Sequence, residues 1–236
     1  MDGITFNGKH SYRDFGLIIT ERDIGYPSKI KNTERVPYSN IDYDFSGVYG
    51  GQEYTERQLK YTLTVMGHKH TKDEYYSMAA DILRWLFSVN QKAALTDDLI
   101  PSYYFMAEAV NEPSGDFIRN FNGTLEVVFT AYPFMINELP EGNDIWDSFN
   151  FYLDYAQDTS FTVNGLLDVT LYNPGIAIVY PKIITSSAME IVRDNTIYNI
   201  PVGSTTSYDF PLFIGENKFK VTGNGTISFE FYKELM

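Results

Sequence analysis

The stretch Tyr61–Val89 constrains the fold most, because its hydrophobic period changes partway along. Its first part, YTLTVM, alternates apolar and polar residues, which is typical of a strand with one buried face. Thr71 and Glu74 then fit a capping box, which predicts the start of a helix. The pattern predicts a helix over about 72–89, with Asn90 as a left-handed stop.

The predicted helix has more apolar surface than one sheet can cover. Its polar residues fall on a narrow arc, and the apolar remainder is about twice the roughly 100° stripe that a helix on a sheet needs. Trp85 lies on one flank of this excess, and Tyr76 and Phe87 lie on the other. We predict that these three side chains are in the core or contact another subunit.

Composition excludes several classes of protein. The 236 residues suffice for one large domain or two ordinary ones, and 44% hydrophobic residues support real cores. The absence of cysteine excludes disulfides, thiolate metal sites and a cysteine nucleophile. A net charge of −13 disfavours specific nucleic-acid binding and anionic membrane surfaces. We expect no signal peptide and no membrane insertion.

The chain reads as a mainly β protein with two domains. Residues 1–138 are predicted to form an α+β domain, a sheet with one packed helix and a long hairpin arm at about 29–57. The arm has little core of its own and needs a neighbour. Residues 139–148, rich in turn formers and acids, are predicted as a linker. Residues 149–236 show short strands at the turn spacing of a β-sandwich.

Two local predictions concern the second domain. Phe149–Tyr155 is predicted as its first strand. Asn224 and Gly225 are predicted as a hairpin turn that joins two short strands near the end of the chain.

His68 and His70 are one candidate site. Two histidines two residues apart at a strand end can bind zinc if a third ligand arrives. His10 is distant in sequence, so a polar strand end is the favoured interpretation and no metal site is predicted.

Two acid pairs invite comparison with glycosidases, which use two carboxylates across a sugar. These pairs are Asp42 with Asp44 and Asp97 with Asp98. A chain with 31 acidic residues contains close pairs by chance. The first pair fits the exposed face of a strand and the second fits a turn.

Aromatic residues in the second domain could stack on sugars, but strand aromatics are more often core residues or cross-strand pairs. Those available are Tyr172, Tyr180, Tyr198 and Tyr208. The chain lacks a phosphate-binding loop, a nucleophile elbow and a metalloprotease motif. We therefore predict no catalytic site, no cofactor and no enzymatic activity. A wall-glycan hydrolase and a sugar-binding or adhesion module remain the alternatives.

The order of these features resembles the distal tail protein (Dit) family of bacteriophages with long, non-contractile tails, over essentially the whole chain. The first-domain segments that carry the resemblance are ITFNGKHSYRDFGLIIT, RVPYSNIDYDFSGVYGG, QEYTERQLKYTLTV, ADILRWLF and GTLEVVFTAYPF. In the second domain they are LYNPG, the following YP and GENKFKVTGNGTISFEF.

The resemblance implies a structural protein of the virion, made in the host cytoplasm and located at the distal end of the tail. It implies a homo-hexameric ring, or stacked rings, formed by the first domain, through which genomic DNA passes. The implied partners are the tail tube protein, a tail-associated lysin or spike protein, and receptor-binding or baseplate proteins. It also implies that the second domain is a galectin-like β-sandwich.

Two acidic residues of the arm are assigned to the implied channel. Asp42 and Asp44 are predicted to face the channel, where like charge would keep DNA from sticking. The alternative function is a carbohydrate-binding or host-adhesion module on the virion surface that forms no ring.

Overall fold

A computed structural model describes residues 2–48, 51–65, 72–110, 123–146 and 149–236. The chain divides into two compact units, Met1–Met135 with Met236, and Ile136–Leu235. The division thus falls a few residues before the domain end predicted at 138. Residues of the predicted linker belong to the second unit, where Glu141 is buried.

The first unit is built on an antiparallel sheet with strand order β2-β1-β7-β8-β9-β6-β3. Its strands are β1 (Ile4–Phe6), β2 (Lys9–His10), β3 (Leu17–Ile24), β6 (Arg57–Val65), β7 (Ala93–Asp97), β8 (Tyr103–Ala109) and β9 (Thr124–Ala131). Two helices, α1 (Ser11–Phe15) and α2 (Lys72–Phe87), belong to the same unit.

Strand β6 is an inner strand of this sheet, and it has the one buried face that its alternating sequence predicts. Leu59, Tyr61 and Leu63 are fully buried, whereas the intervening Gln58 and Lys60 are exposed. The strand pairs with β3 on one side and β9 on the other, so its backbone groups are satisfied on both edges.

Helix α2 packs one stripe of side chains into the core of the first unit. Tyr75, Ala79, Ile82 and Leu86 are all buried and recur at helical spacing. The helix ends at Phe87 rather than at Val89. The left-handed stop at Asn90 is wrong, because Asn90 does not have a positive φ. Thr71, half of the predicted capping box, lies outside the described residues.

The arm forms a small sheet separate from the main one. Among the described residues, its strands β4 (Thr33–Arg35) and β5 (Asp42–Asp44) pair only with each other. Nearer its base, Lys29 bridges Tyr54, and the Ile30 N–H donates to the Glu53 carbonyl at 2.9 Å. These pairings lie within the range of about 29–57 predicted for the arm.

The described residues of the second unit form strands and turns, with no α-helix. A six-stranded sheet has the path β14-β13-β16-β12-β15, with β11 paired along β16. Its strands are β11 (Ser160–Asn173), β12 (Lys182–Thr185), β13 (Met189–Arg193), β14 (Thr196–Ile200), β15 (Gly203–Thr206) and β16 (Gly215–Glu230). Two short strands, β10 (Met135–Asn137) and β17 (Glu234–Leu235), pair with each other.

Strand β16 folds back over its own core. Phe219 and Phe229 are ten residues apart, which spans about 33 Å in a straight strand. Their ring centroids are 5.3 Å apart. The bend lies between them, where Gly223 and Gly225 have φ values of 152° and 138°. The two halves of one continuous strand therefore cover a common core, which includes Phe210.

This bend corrects the predicted hairpin. Asn224 and Gly225 lie inside β16 and are paired with β11 on one edge, so they do not join two separate strands. The strand predicted at Phe149–Tyr155 is also wrong. The Asn150 side chain accepts from the Tyr152 N–H at 2.9 Å, which closes a turn instead of extending the backbone.

Candidate functional site

A second apolar stripe on α2 is left exposed by the first unit. It consists of Tyr76, Ala80, Leu83 and Phe87, which share the helical spacing of the buried stripe beside them. The exposed fractions are 60% for Tyr76 and 38% for both Leu83 and Phe87. We call these four residues the α2 stripe. Contiguous exposed apolar surface is typical of interaction sites, so a subunit contact at the α2 stripe stays a prediction.

Trp85, by contrast, belongs to the core of the first unit. It is 3% exposed, and its Nε1–H donates to the Phe6 carbonyl at 2.6 Å. Its ring lies 4.9 Å from that of Phe15 and 6.5 Å from that of Phe6. One flank of the helix is thus covered by β1 and α1, and the flank with Tyr76 and Phe87 is not.

The arm has one apolar face and one acidic face. Ile41, Tyr43 and Phe45 alternate along the strand and are all exposed, and the last two rings are 6.3 Å apart. We call these three residues the arm face. Asp42 and Asp44 occupy the intervening positions, so they point to the opposite side.

The acidic side of the arm is partly neutralised. Lys31 Nζ lies 2.7 Å from Asp44 Oδ2, and the Ser46 N–H donates to Asp44 Oδ1 at 2.9 Å. The Lys31 ammonium and the Ser46 hydroxyl and amide hold the pKa of Asp44 well below its usual range. Asp42 lies opposite Arg35 in the strand register. The channel-facing position of both acids stays a prediction.

The other predicted acid pair is not a pair of carboxylates facing one substrate. The Asp97 side chain is buried and accepts from Arg22 Nε at 3.0 Å. Asp98 Oδ2 instead accepts from the Gly3 N–H and lies 3.0 Å from His10 Nε2. Each acid therefore stabilises a different part of the first unit.

The histidine pair His68 and His70 lies outside the described residues. Among the residues that the structure describes, no group of three or more His, Cys, Asp or Glu is placed to hold a metal ion. In that same part of the chain, every helix is too short or too polar to cross a membrane.

The four tyrosines considered for sugar stacking do not share one surface. Tyr172 stacks on Tyr155 with centroids 4.5 Å apart, and Tyr198 packs on Phe210 in the core. Tyr180 and Tyr208 are exposed and meet edge to face at 5.0 Å.

Sequence reasoning missed a pocket of about 320 Å³ at the start of the second unit. Part of it comes from the predicted linker and part from the wrongly predicted strand. Its walls are Asn137, Leu139, Glu141, Gly142, Asn143, Asp144, Ile145, Trp146, Phe149, Asp154, Tyr155, Ala156, Gln157 and Asp158. The available signal was the concentration of acids around an exposed tryptophan.

Buried charges lie behind this pocket. Lys233 is fully buried and ion-paired with Asp154. Burial raises the pKa of Glu141 and lowers that of Lys233. Gln157 Nε2 donates to Glu141 Oε2 at 3.3 Å and to the Tyr172 carbonyl at 2.7 Å, which fixes the pocket wall to β11.

Comparison with solved structures identifies the fold. The chain matches the crystal structure of the SPP1 Dit protein (gp19.1) with a TM-score of 0.64 and 11% identity, covering 100% of both chains. That protein is described as a paradigm of the hub adsorption apparatus in phages that infect Gram-positive bacteria. The resemblance to the distal tail proteins is therefore confirmed at the level of the fold, which is mainly β.

Two structures of the phage p2 baseplate in its activated conformation are more distant. The one with Sr has a TM-score of 0.41, 11% identity and coverage of 98% and 97% of the two chains. The one with Ca has a TM-score of 0.40, 9% identity and coverage of 95% and 92%. No sequence profile of a known protein family matches the chain, and no curated protein matches its sequence.

Proposed function

We propose that this protein is a structural component of the tail tip of a long-tailed bacteriophage, where it forms a hexameric ring hub. The observation that carries the proposal is the full-length agreement of its fold with the SPP1 Dit protein. The ring would join the tail tube to a tail-associated lysin or spike protein and to baseplate or receptor-binding proteins. The second unit, taken as a galectin-like sandwich, would serve the last of these contacts.

The ring contact uses two surfaces of the first unit. In a heterologous interface, one patch of a protomer meets a different patch of the next, and six such contacts close a ring. The α2 stripe and the arm face are both apolar, both exposed and built from different elements. We assign the arm face of one protomer to the α2 stripe of its neighbour.

In the single chain both surfaces are exposed, so each would be stabilised by covering the other. A two-stranded hairpin is marginally stable by itself, so an arm with exposed aromatic side chains gains from a partner surface. The α2 stripe offers that surface without a cost to the core, because the core is filled by the other stripe. Stable interfaces of this type bury on the order of 1,200–2,000 Å² in total.

The acidic composition suits the same role. A net charge of −13 repels DNA, and a ring through which the genome passes benefits from not binding it. In this proposal Asp42 and Asp44 line the channel. Location in the virion, at the distal end of the tail, follows from the same function.

A double variant tests the ring contact. Leu83→Glu with Phe87→Glu places two carboxylates in the α2 stripe, and burying unpaired charges at an interface is strongly unfavourable. We expect the hexamer to be lost and the unfolding midpoint of the first unit to change little. The control is Ser77→Glu, which adds charge on the polar arc of the same helix and should leave the hexamer intact. Equal assembly of both variants would refute the α2 stripe as the contact.

The second candidate function is sugar binding or host adhesion without a ring. The pocket of the second unit favours it, since Trp146 and Tyr155 are exposed beside several carboxylates. Sugar binding alone does not distinguish the two functions, because a ring could carry the same pocket; the absence of a ring does.

A further inference from the structure

We propose that the pocket of the second unit binds a cationic amino sugar, with its ring against Trp146 and its ammonium toward the carboxylates. This binding site goes beyond the hub function and does not depend on ring formation. The proposal rests on the size of the pocket, on its excess of hydrogen-bond acceptors, on its negative charge and on its exposed aromatic walls.

The pocket has the size of a small-ligand site. Ligand pockets run from roughly 300 to 1,000 Å³, so a volume of about 320 Å³ suits a ligand of one or two sugar rings. Its lining comes from the second unit alone.

The polar groups of the pocket call for a ligand that donates hydrogen bonds. Ionised carboxylates only accept. Three amides line the pocket. Two of them already donate, Asn143 to the Pro140 carbonyl at 2.8 Å and Gln157 to the Tyr172 carbonyl at 2.7 Å, and the third, Asn137, accepts from the Leu139 N–H at 3.5 Å. The remaining groups are mostly acceptors, which match the hydroxyl and ammonium donors of an amino sugar.

The charge of the pocket is negative and incompletely balanced. The buried Lys233 ammonium pairs with Asp154, which also accepts from the Asn150 N–H at 2.6 Å. Glu141, Asp144 and Asp158 add further carboxylates to the lining. Glu141 is itself buried near the Lys233 ammonium, and its side chain accepts from Gln157 Nε2 at 3.3 Å. One ammonium thus serves a pocket with four lining carboxylates, so the pocket keeps a net negative charge that a cationic ligand would offset.

The aromatic walls supply the platform for the sugar ring. Trp146 is 67% exposed, and its ring lies 5.2 Å from that of Phe149. Tyr155 is held by stacking on Tyr172. An exposed indole offers a flat apolar face with a negative quadrupole, which attracts both C–H groups and cations. The flat platform favours a ring-shaped ligand over a lysine side chain.

Ligand-observed NMR titration of the full-length protein tests the proposal. The probes are glucosamine, N-acetylglucosamine, which lacks the charge, and Nα-acetyl-lysine amide, which lacks the ring, at a slightly acidic pH that keeps the amine protonated. We expect glucosamine to bind at least about tenfold more tightly than either of the others, as charge-assisted hydrogen bonds imply.

Two matched variants complete the test. Trp146→Ala should abolish the binding of glucosamine. Tyr152→Ala should leave it unchanged, because Tyr152 is 97% exposed in the same segment and is not in the pocket wall. An unchanged affinity in Trp146→Ala, no binding of glucosamine, equal binding of N-acetylglucosamine or a preference for the lysine derivative would each overturn the proposal.

Discussion

The position of Trp85 in the core, rather than at an interface, gives a quantitative prediction. Trp85→Ala removes a side chain that is 3% exposed and packed on Phe6 and Phe15. Removing a buried tryptophan costs about 3–5 kcal/mol, through lost transfer energy and a cavity. Trp85→Phe keeps most of the apolar packing and removes the Nε1–H that bonds to the Phe6 carbonyl at 2.6 Å. Trp85→Phe should lower the free energy of unfolding by about 1–2 kcal/mol, because the loss of the hydrogen bond adds to the effect of a smaller cavity.

Urea unfolding followed by far-UV circular dichroism and by fluorescence measures these costs. The chain has two tryptophans. In the Trp85 variants the fluorescence therefore comes from Trp146 in the second unit, and it should report an unchanged transition. The control is Phe87→Ala, an exposed truncation on the same helix, which should cost less than about 1 kcal/mol. A Trp85→Ala variant that unfolds like the wild type would refute the core assignment.

Three further predictions concern other parts of the chain. Gly225→Ala should destabilise the second unit by about 1–3 kcal/mol in urea unfolding, because φ is 138° there and a serine side chain occupies the space that a Cβ would need. The control is Gly47→Ala, where a Cβ would meet open space and the stability should not change. Glu141→Gln should raise the unfolding midpoint of the second unit at neutral pH, with the gain vanishing in acid, as thermal melts at several pH values will show. Charge reversal at Asp42 and Asp44 should leave the solution mass of the ring unchanged, since a channel-lining face makes no subunit contact.

The sign of the Glu141 prediction follows from linkage. Burial raises the pKa of Glu141, so the folded state holds the proton more tightly than the unfolded chain. The favourable contribution is complete below the ordinary pKa of 4.5 and is lost as the pH rises through the raised value. A glutamine, which carries no charge at any pH, avoids this loss.

Each of these three predictions has a refuting result. Equal stability of Gly225→Ala and the wild type would show that the bend does not need glycine. A Glu141→Gln variant that is less stable at neutral pH would show that its charge is fully compensated. Loss of assembly after charge reversal at Asp42 and Asp44 would contradict a role confined to the channel, because it would show that the acids act in the contact or, through Lys31, in holding the arm.

The elements that the sequence predicted well are those whose signal is local. Strand β6 follows from strict alternation, and α2 follows from helical spacing, since both patterns are set by which face is buried. The sequence also shows the excess apolar surface of α2. It does not show which flank of the helix is covered, because Phe6 and Phe15, which cover Trp85, are distant in sequence.

The elements that the sequence predicted poorly depend on non-local packing. Asn224-Gly225 is a good hairpin signal by itself, but pairing with β11 keeps both residues inside one bent strand. The segment at 149–155 has the aromatic content of a strand, but the hydrogen bond from the Tyr152 N–H to the Asn150 side chain folds it into a turn. The pocket escaped prediction because its wall was predicted as a linker and a strand, and because the buried Lys233, which pairs with Asp154, comes from the far end of the chain.

The solution mass of the wild-type protein across a concentration series, with negative-stain images of the heaviest species, tests the central claim. The hub proposal predicts a species of six times 27.1 kDa with a central hole. A strict monomer at every concentration, or a closed assembly of another number of subunits, would contradict it.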